Sequence, residues 1–384
     1  MKRLTLLLNC LILTLLFSCE ENHQSTRFKI EFENYPYDSI QYGLSSLDDK
    51  GRIDFKYCSI TDGIFMVDTV LNEPKEVILL PKTINFKLSD GTDFMIRSKQ
   101  VKFFLFPNDR IQVKATLNED MVDYTVFGNE INREMSAFRK QILEDYVKTS
   151  MAMFYIEDLF SKNGSDSLID KHYEDYDLAA KRILESEKDY ILQNPGSKFA
   201  AYLTYNIRGN DSISKYFNTL NEQGRRTAYG IVIEEKLNTW RSVTVGSKAP
   251  DISYKTLSGT TFDLNQNTER IIVLDFWGTW CAPCMGEMDN LKEVYLKYKD
   301  TVEIVGIACH DNYDTWSKTI ESLDLDWTHI LNDKEADDLS KKFAVEGYPT
   351  KIIIDQNGMI RGIYKAARND RFYKDLENLV AGKI

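Results

Sequence analysis

Two cysteines three residues apart, Cys281 and Cys284, stand where an apolar strand turns into a helix, and that junction constrains the chain more than any other stretch. Ile271-Ile272-Val273-Leu274 is apolar and largely β-branched, the pattern of a strand covered on both faces. It leads through Phe276-Trp277-Gly278-Thr279-Trp280 into Cys281-Ala282-Pro283-Cys284. Beyond come Met285-Gly286-Glu287-Met288, then Leu291, Val294, Tyr295 and Tyr298, whose spacing predicts one face of a single helix. Positions i and i+3 of a helical turn share a face, so the two sulfurs can reach each other. The partial positive charge and unpaired N–H groups of a helix start favour a thiolate at Cys281. Pro283 fits the first turn, where no N–H is needed.

A C-x-x-C pair also suits zinc, but a structural zinc wants four ligands and usually a second ligand pair. Cys309 and His310 are adjacent in the chain rather than spaced as such a pair. The pattern favours dithiol chemistry over metal binding.

Trp280-Cys281-Ala282-Pro283-Cys284 after Asp275-Phe276-Trp277, together with Gly347-Tyr348-Pro349-Thr350 and the following Lys351-Ile352-Ile353-Ile354-Asp355, resembles the thioredoxin superfamily. The lead-in Val245-Gly246-Ser247-Lys248-Ala249-Pro250-Asp251 and the segment from Ser258 to Leu264 are similar to its extracytoplasmic TlpA/ResA-like branch. These motifs cover residues 243–384. The resemblance implies a cis peptide at Pro349, packed against an active-site disulfide of Cys281 and Cys284. Helix position and resemblance both make Cys281 the attacking thiol and Cys284 the deeper, resolving one.

Asp275, six residues before Cys281, has apolar strand neighbours on both sides. An unpaired buried carboxylate is costly and has a raised pKa. Asp275 matches the position of the buried thioredoxin aspartate that accepts the resolving cysteine's proton. The ResA-like branch often carries a neutral residue there, so the chain departs from it at this point; a carboxylate capping local backbone is the other reading. Glu287, six residues after Cys281, matches an acidic residue that tunes the site in that branch, the other reading being a solvated helix-surface glutamate. Trp280, Tyr348 and Pro349 are expected to line the substrate groove, Tyr348 being unusually bulky for its position. Cys309-His310 follows a predicted strand at its C-terminal end, the edge where open α/β sheets place sites; a buried thiol with an incidental exposed imidazole is the simpler reading. His329, within Trp327-Thr328-His329-Ile330-Leu331, is expected in the core.

The rest of the chain divides by texture. Met1-Lys2-Arg3 and the apolar stretch from Leu4 to Phe17 form a leader too short to span a membrane comfortably. It ends in Leu16-Phe17-Ser18-Cys19, which resembles a bacterial lipobox, although Phe17 departs from the smaller residue usual there. The resemblance implies removal of residues 1–18 and lipid on Cys19, whose acyl chains would hold the protein on a membrane. Glu20-Glu21 is similar to the start of lipoproteins sent to an outer membrane. A cell-envelope location facing the periplasm or cell surface is therefore expected, with the outer membrane favoured over the inner. Cys10 leaves with the leader. Cys58 and Cys309 are expected to be buried, because an oxidising compartment selects against stray reactive thiols.

Residues 19–27 read as a tether. Residues 28–128 alternate apolar and polar between turn signals such as Thr61-Asp62-Gly63 and Ser89-Asp90-Gly91, predicting an antiparallel sandwich or small barrel of seven or eight strands. Residues 129–242 are helical in texture, with helices from Glu130 to Phe160, Leu168 to Leu192, Lys198 to Tyr205 and Arg225 to Trp240. The expected fold class is multidomain: an N-terminal all-β sandwich or barrel, a middle α-helical region and a C-terminal α/β thioredoxin-like fold. A formal charge of −11 argues against a nucleic-acid partner.

The reading is a lipid-anchored extracytoplasmic thiol-disulfide oxidoreductase that reduces protein disulfides, fed by a membrane thiol-electron carrier. It requires no cofactor and no metal. The alternatives are a binding or scaffold lipoprotein acting through its N-terminal domains, and a thiol peroxidase. The peroxidase is disfavoured because Cys281 lacks the preceding Pro-x-x-x-Thr/Ser-x-x pattern of peroxidatic sites.

Overall fold

Period-two burial runs through the N-terminal strands. In β1 (Thr26–Glu33), Thr26, Phe28, Ile30 and Phe32 are buried and the residues between them are not. Nine further strands follow: β2 (Ser39–Ser46), β3 (Lys56–Ser59), β4 (Ile64–Thr69), β5 (Lys75–Pro81), β6 (Asn85–Lys87), β7 (Asp93–Met95), β8 (Val101–Leu105), β9 (Arg110–Leu117) and β10 (Val122–Phe127). The computed structural model describes residues 25–46, 53–266, 269–333, 337–365 and 370–382. The leader and Cys19 lie outside them.

The strands form two four-stranded sheets, β10-β9-β1-β4 and β3-β2-β5-β8, with β6-β7 as a separate hairpin. Phe28 of the first sheet meets Tyr42 and Phe103 of the second at ring distances of 5.9 and 5.2 Å, so the sheets face each other across an aromatic core. Two details differ from expectation. There are ten strands rather than seven or eight, and β1 runs parallel to β9, with Phe28 opposite Ile111 and Ile30 opposite Val113. Alternation reports which face is buried but carries no strand direction. Cys58, expected to be buried, is half-exposed and free on edge strand β3.

Four longer or intermediate helices and two short ones follow: α1 (Glu130–Ser161), α2 (Asp166–Gln193), α3 (Lys198–Asn206), α4 (Asn210–Phe217), α5 (Glu222–Arg225) and α6 (Ala228–Ser242). Helix α1 starts at Asn129, whose side chain accepts from the Asn132 N–H. It ends as Asn163 takes a left-handed φ of 52° and the Gly164 N–H bonds to the Leu159 carbonyl. Asn132 is fully buried and bonds both the N–H (2.8 Å) and the carbonyl (2.7 Å) of Phe104 on β8. Arg182 of α2 grips Asp145 of α1. Helices α4 and α5 were not expected from sequence. By contacts the chain forms two compact units: one runs to Tyr190 and takes in Ser197–Phe199, the other holds Ile191–Gly196 and everything from Ala200 onward, so the middle helices are shared between them.

The second unit adds β11 (Ser253–Lys255), β12 (Thr261–Asp263), β13 (Ile271–Trp277), α7 (Ala282–Met285), α8 (Met288–Tyr298), β14 (Val302–Cys309), α9 (Tyr313–Ser322), β15 (Thr328–Asn332), α10 (Leu339–Lys342), β16 (Thr350–Ile354), β17 (Ile360–Lys365) and α11 (Asp370–Val380). The sheet order is β15-β14-β13-β16-β17, with β13, β14 and β15 parallel and β16 and β17 antiparallel to their neighbours. All seven residues of β13 are buried, as a central strand covered on both faces requires. Ile271, Val273 and Trp277 pack with α8, α9 and α11, while Ile272, Leu274 and Phe276 pack against Leu339 and Phe343 on the other side. In the same unit Lys236 of α6 reaches Glu346, just before the Tyr348-Pro349 turn, at 2.8 Å. Among the described residues no helix is long and apolar enough to cross a membrane.

Replacing Asn132 with alanine removes two buried hydrogen bonds between α1 and β8. We expect a loss of about 2–3 kcal/mol in the unfolding free energy of the N-terminal unit, measured by chemical denaturation.

Candidate active site

Strand β13 delivers the chain to Cys281, which caps α7: its sulfur accepts from the Cys284 N–H at 3.2 Å. The two cysteines are joined as a disulfide, their Cα atoms 5.3 Å apart. Pro283 lies inside the first turn, as expected. The helix is not continuous, however. It breaks at Gly286 and Glu287, and α8 starts afresh at Met288. With only one turn behind Cys281, a thiolate there would be held by the local N–H groups more than by a long helix dipole.

Both cysteines are buried, Cys281 with 4% of its surface exposed and Cys284 with 2%, within an apolar cluster that includes Trp277 and Met288 and has Tyr348 packed against it. In the disulfide form apolar neighbours cover Cys281 almost as fully as Cys284, the residue expected to be deeper. Pro349 is buried and follows Tyr348 through a cis peptide bond.

On the face of the sheet that carries the disulfide lies a cluster that the sequence reveals only in part. Asp275 is buried on β13, and the β13–β16 register sets Lys351 directly opposite it. Alternation turns both side chains toward the face that carries Cys284 and Met288. Lys351 Nζ lies 3.4 Å from Asp275 Oδ1 and 2.5 Å from Glu287 Oε2, all three residues being no more than 4% exposed. Asp275 is thus not the isolated acid expected, and Glu287 is buried rather than solvated. The 3.4 Å approach lacks hydrogen-bond alignment, and Asp275 Oδ1 has no hydrogen-bond partner among the described residues. Burial raises the Asp275 pKa above the carboxylate range, and Lys351 offsets only part of that shift. Burial alone would lower the Lys351 pKa, but the two carboxylates hold it above its ordinary value.

Above the disulfide, three rings gather. Trp280 is 54% exposed and stands 5.5 Å from Tyr348 and 6.4 Å from His310. The Trp280 Nε1–H donates to the Cys309 carbonyl at 2.9 Å. Cys309 is free and buried, and burial pushes its thiol up to about 11. His329 is a core residue of β15, lowered to about 4 by burial, with its Nε2 3.1 Å from the Leu325 carbonyl.

Residues 269–360 match a family described as thioredoxin-like. The thioredoxin-like protein YneN of Bacillus subtilis is 32% identical over 126 residues, covering 31% of this chain and 70% of that protein. The thiol-disulfide oxidoreductase ResA of Geobacillus thermodenitrificans is 32% identical over 123 residues, covering 32% of this chain and 70% of that protein. The chain belongs to the TlpA/ResA-like branch of the thioredoxin superfamily. It is a thiol-disulfide oxidoreductase. Among solved structures, the thioredoxin domain of a thiol-disulfide oxidoreductase from Bacteroides vulgatus is 28% identical, with a TM-score of 0.34, covering 36% of this chain and 99% of that one. Within the TlpA/ResA-like chain described here, the residue that sequence reasoning missed is Lys351. It reads as the polar start of an apolar strand, and only register shows what it faces.

Asp275 titrates high in the folded state, so its stabilising contribution is full below the ordinary carboxylate pKa and is lost as pH rises through the raised value. Lys351→Met removes the cation that limits that shift and leaves two buried carboxylates together. We expect the catalytic unit to lose about 3–5 kcal/mol, the loss being largest above the raised Asp275 pKa and smaller as pH falls through it and the carboxylate takes up a proton. Denaturation across a pH series checks the sign.

Proposed function

We propose that this oxidoreductase works as an extracytoplasmic protein-disulfide reductase, held on a membrane by lipid at Cys19. The observation that carries the chemistry is the Cys281–Cys284 pair at a strand–helix junction, on the same face of the sheet as a buried carboxylate oxygen with no hydrogen-bond partner among the described residues. In the reduced protein the Cys281 thiolate attacks a substrate disulfide. One substrate sulfur leaves as a thiolate and takes up a proton, and a mixed disulfide remains on Cys281. Cys284 then gives its proton to Asp275, attacks Cys281 and expels the second substrate sulfur. The substrate gains two electrons and two protons, and the protein ends as the Cys281–Cys284 disulfide. A membrane thiol-electron carrier returns two electrons and completes the cycle.

Lys351 and Glu287 make Asp275 usable. A lone buried carboxylate would keep its proton and could not serve as a base, whereas a cation 3.4 Å away makes the ionised form accessible. Glu287 balances the lysine whether or not Asp275 carries a proton. Trp280, Tyr348 and Pro349 supply the surface on which the substrate lies.

Cys281→Ser should abolish reduction of a protein disulfide, while Cys284→Ser should accumulate stable mixed disulfides, resolved on non-reducing gels. Equal alkylation rates for the two thiols in the reduced protein would contradict this order. Asp275→Asn should slow release of a Cys281-bound mixed disulfide about 100-fold in single turnover, without lowering the melting temperature, because Lys351 and Glu287 remain as a neutral pair. Unchanged release with lower stability would assign Asp275 to structure.

Cys19→Ala should leave the protein unlipidated, and mass spectrometry of the mature N-terminus decides the point. An unmodified residue at that terminus in the wild type would remove the anchor from the proposal.

A further inference from the structure

Trp280 and Tyr348 both turn their polar atoms inward. The indole N–H is taken by the Cys309 carbonyl, and the Tyr348 hydroxyl lies 3.1 Å from Ser340 Oγ. Ser340 Oγ is itself 3.1 Å from the Cys309 sulfur and accepts from Asn332 Nδ2 at 3.2 Å. One residue, Cys309, thus anchors both rings, one through its carbonyl and the other through its side chain and Ser340. Gly278 leaves the room that this needs, since a Cβ there would lie 2.5 Å from Trp280 Nε1 and 3.1 Å from the Cys309 oxygen.

The next residue, His310, completes the arrangement. Its ring is 6.4 Å from Trp280 and 6.0 Å from Tyr348, it is exposed, and it makes no hydrogen bond among the described residues. It holds a left-handed φ of 55°, a conformation that costs a non-glycine residue energy and that persists where the surroundings impose it. The surroundings here are explicit: Asp311 accepts from the Thr279 N–H at 2.7 Å and from its hydroxyl at 2.5 Å, pinning residues 309–311 to the loop that carries Trp280.

We propose, resting on the reductase reading above, that His310 is a specificity-determining residue which, with Trp280 and Tyr348, selects substrate disulfides whose cysteine is flanked by an aromatic side chain. The two anchored rings offer apolar surface to that side chain. The imidazole, whose nitrogens have no hydrogen-bond partner among the described residues, hydrogen-bonds the substrate backbone beside it. Cys309 is a positioning residue for the rim and takes no part in electron transfer.

The test measures kcat/KM of the full chain on two disulfide-bonded peptides that differ only in phenylalanine or serine beside the cysteine. Wild type should prefer the phenylalanine peptide. His310→Gly, which suits the backbone angle and should keep or raise the melting temperature, should reduce that preference about fivefold, the size of one aromatic contact, while loss of the backbone hydrogen bond lowers kcat/KM on both peptides alike. His310→Asn, which tolerates the same angle and keeps a hydrogen-bonding side chain, should lose the same share of the preference but hold kcat/KM on the serine peptide nearer to wild type. Ser340→Ala should reduce the preference by freeing Tyr348. A purely structural role would lower both values together and leave their ratio intact. A His310→Gly ratio equal to wild type overturns the proposal, as does a wild type with no preference. Hydroxyethyl disulfide serves as the small substrate: if wild type fails to reduce it, the reductase reading fails and this inference falls with it.

Discussion

Asp275 and Lys351 face each other because β13 and β16 pair in one register and no other, and the site depends on that alignment. A slip of β16 by one residue would send Lys351 to the opposite face of the sheet, where Leu274 and Ile352 now pack, and leave Asp275 without its cation. The apolar residues of β16 make such a slip prohibitive, since each would change face with the lysine. Burial of the hydrophobic strands thus places a costly ionic group on the face of the sheet that carries the disulfide. Glu287 then arrives from the helical layer to balance the lysine.

The cluster also explains the interrupted helix after the cysteines. Glu287 lies at the break between α7 and α8, with its side chain turned to Lys351 and making no capping bond. The chain gives up one continuous helix there, and a buried cation gains a second counter-ion. Charge balance in the core has taken precedence over local helical regularity.

Much of this could be read from the sequence where the signal is local. The cysteine spacing, the buried strand before it, the turn at Pro349 and the closing helix from Asp370 to Val380 each rest on a few adjacent residues. What escaped depends on distant partners. Lysine within Thr350-Lys351-Ile352 looks like a solvent-facing strand residue until β13 is laid beside it. The parallel pairing of β1 with β9 joins segments some eighty residues apart. Helices α4 and α5 are short and polar, and β15 is five residues of mixed character that are recognisable as a strand only against β14. Cys58 was expected inside because an oxidising compartment selects against stray reactive thiols, but its strand lies at a sheet edge.

The ion pair between Lys236 and Glu346 bears on how the protein can be dissected. Glu346 belongs to the turn that presents Tyr348, and its cationic neighbours are Lys236 at 2.8 Å and Lys365 at 3.8 Å. Excision of the thioredoxin-like region at residue 243, the boundary that motifs alone suggest, would strip away the nearer of these two braces together with α6. The piece so obtained would keep its cysteines but hold the Tyr348-Pro349 turn with a different electrostatic support, so its behaviour is not a proxy for that of the whole chain.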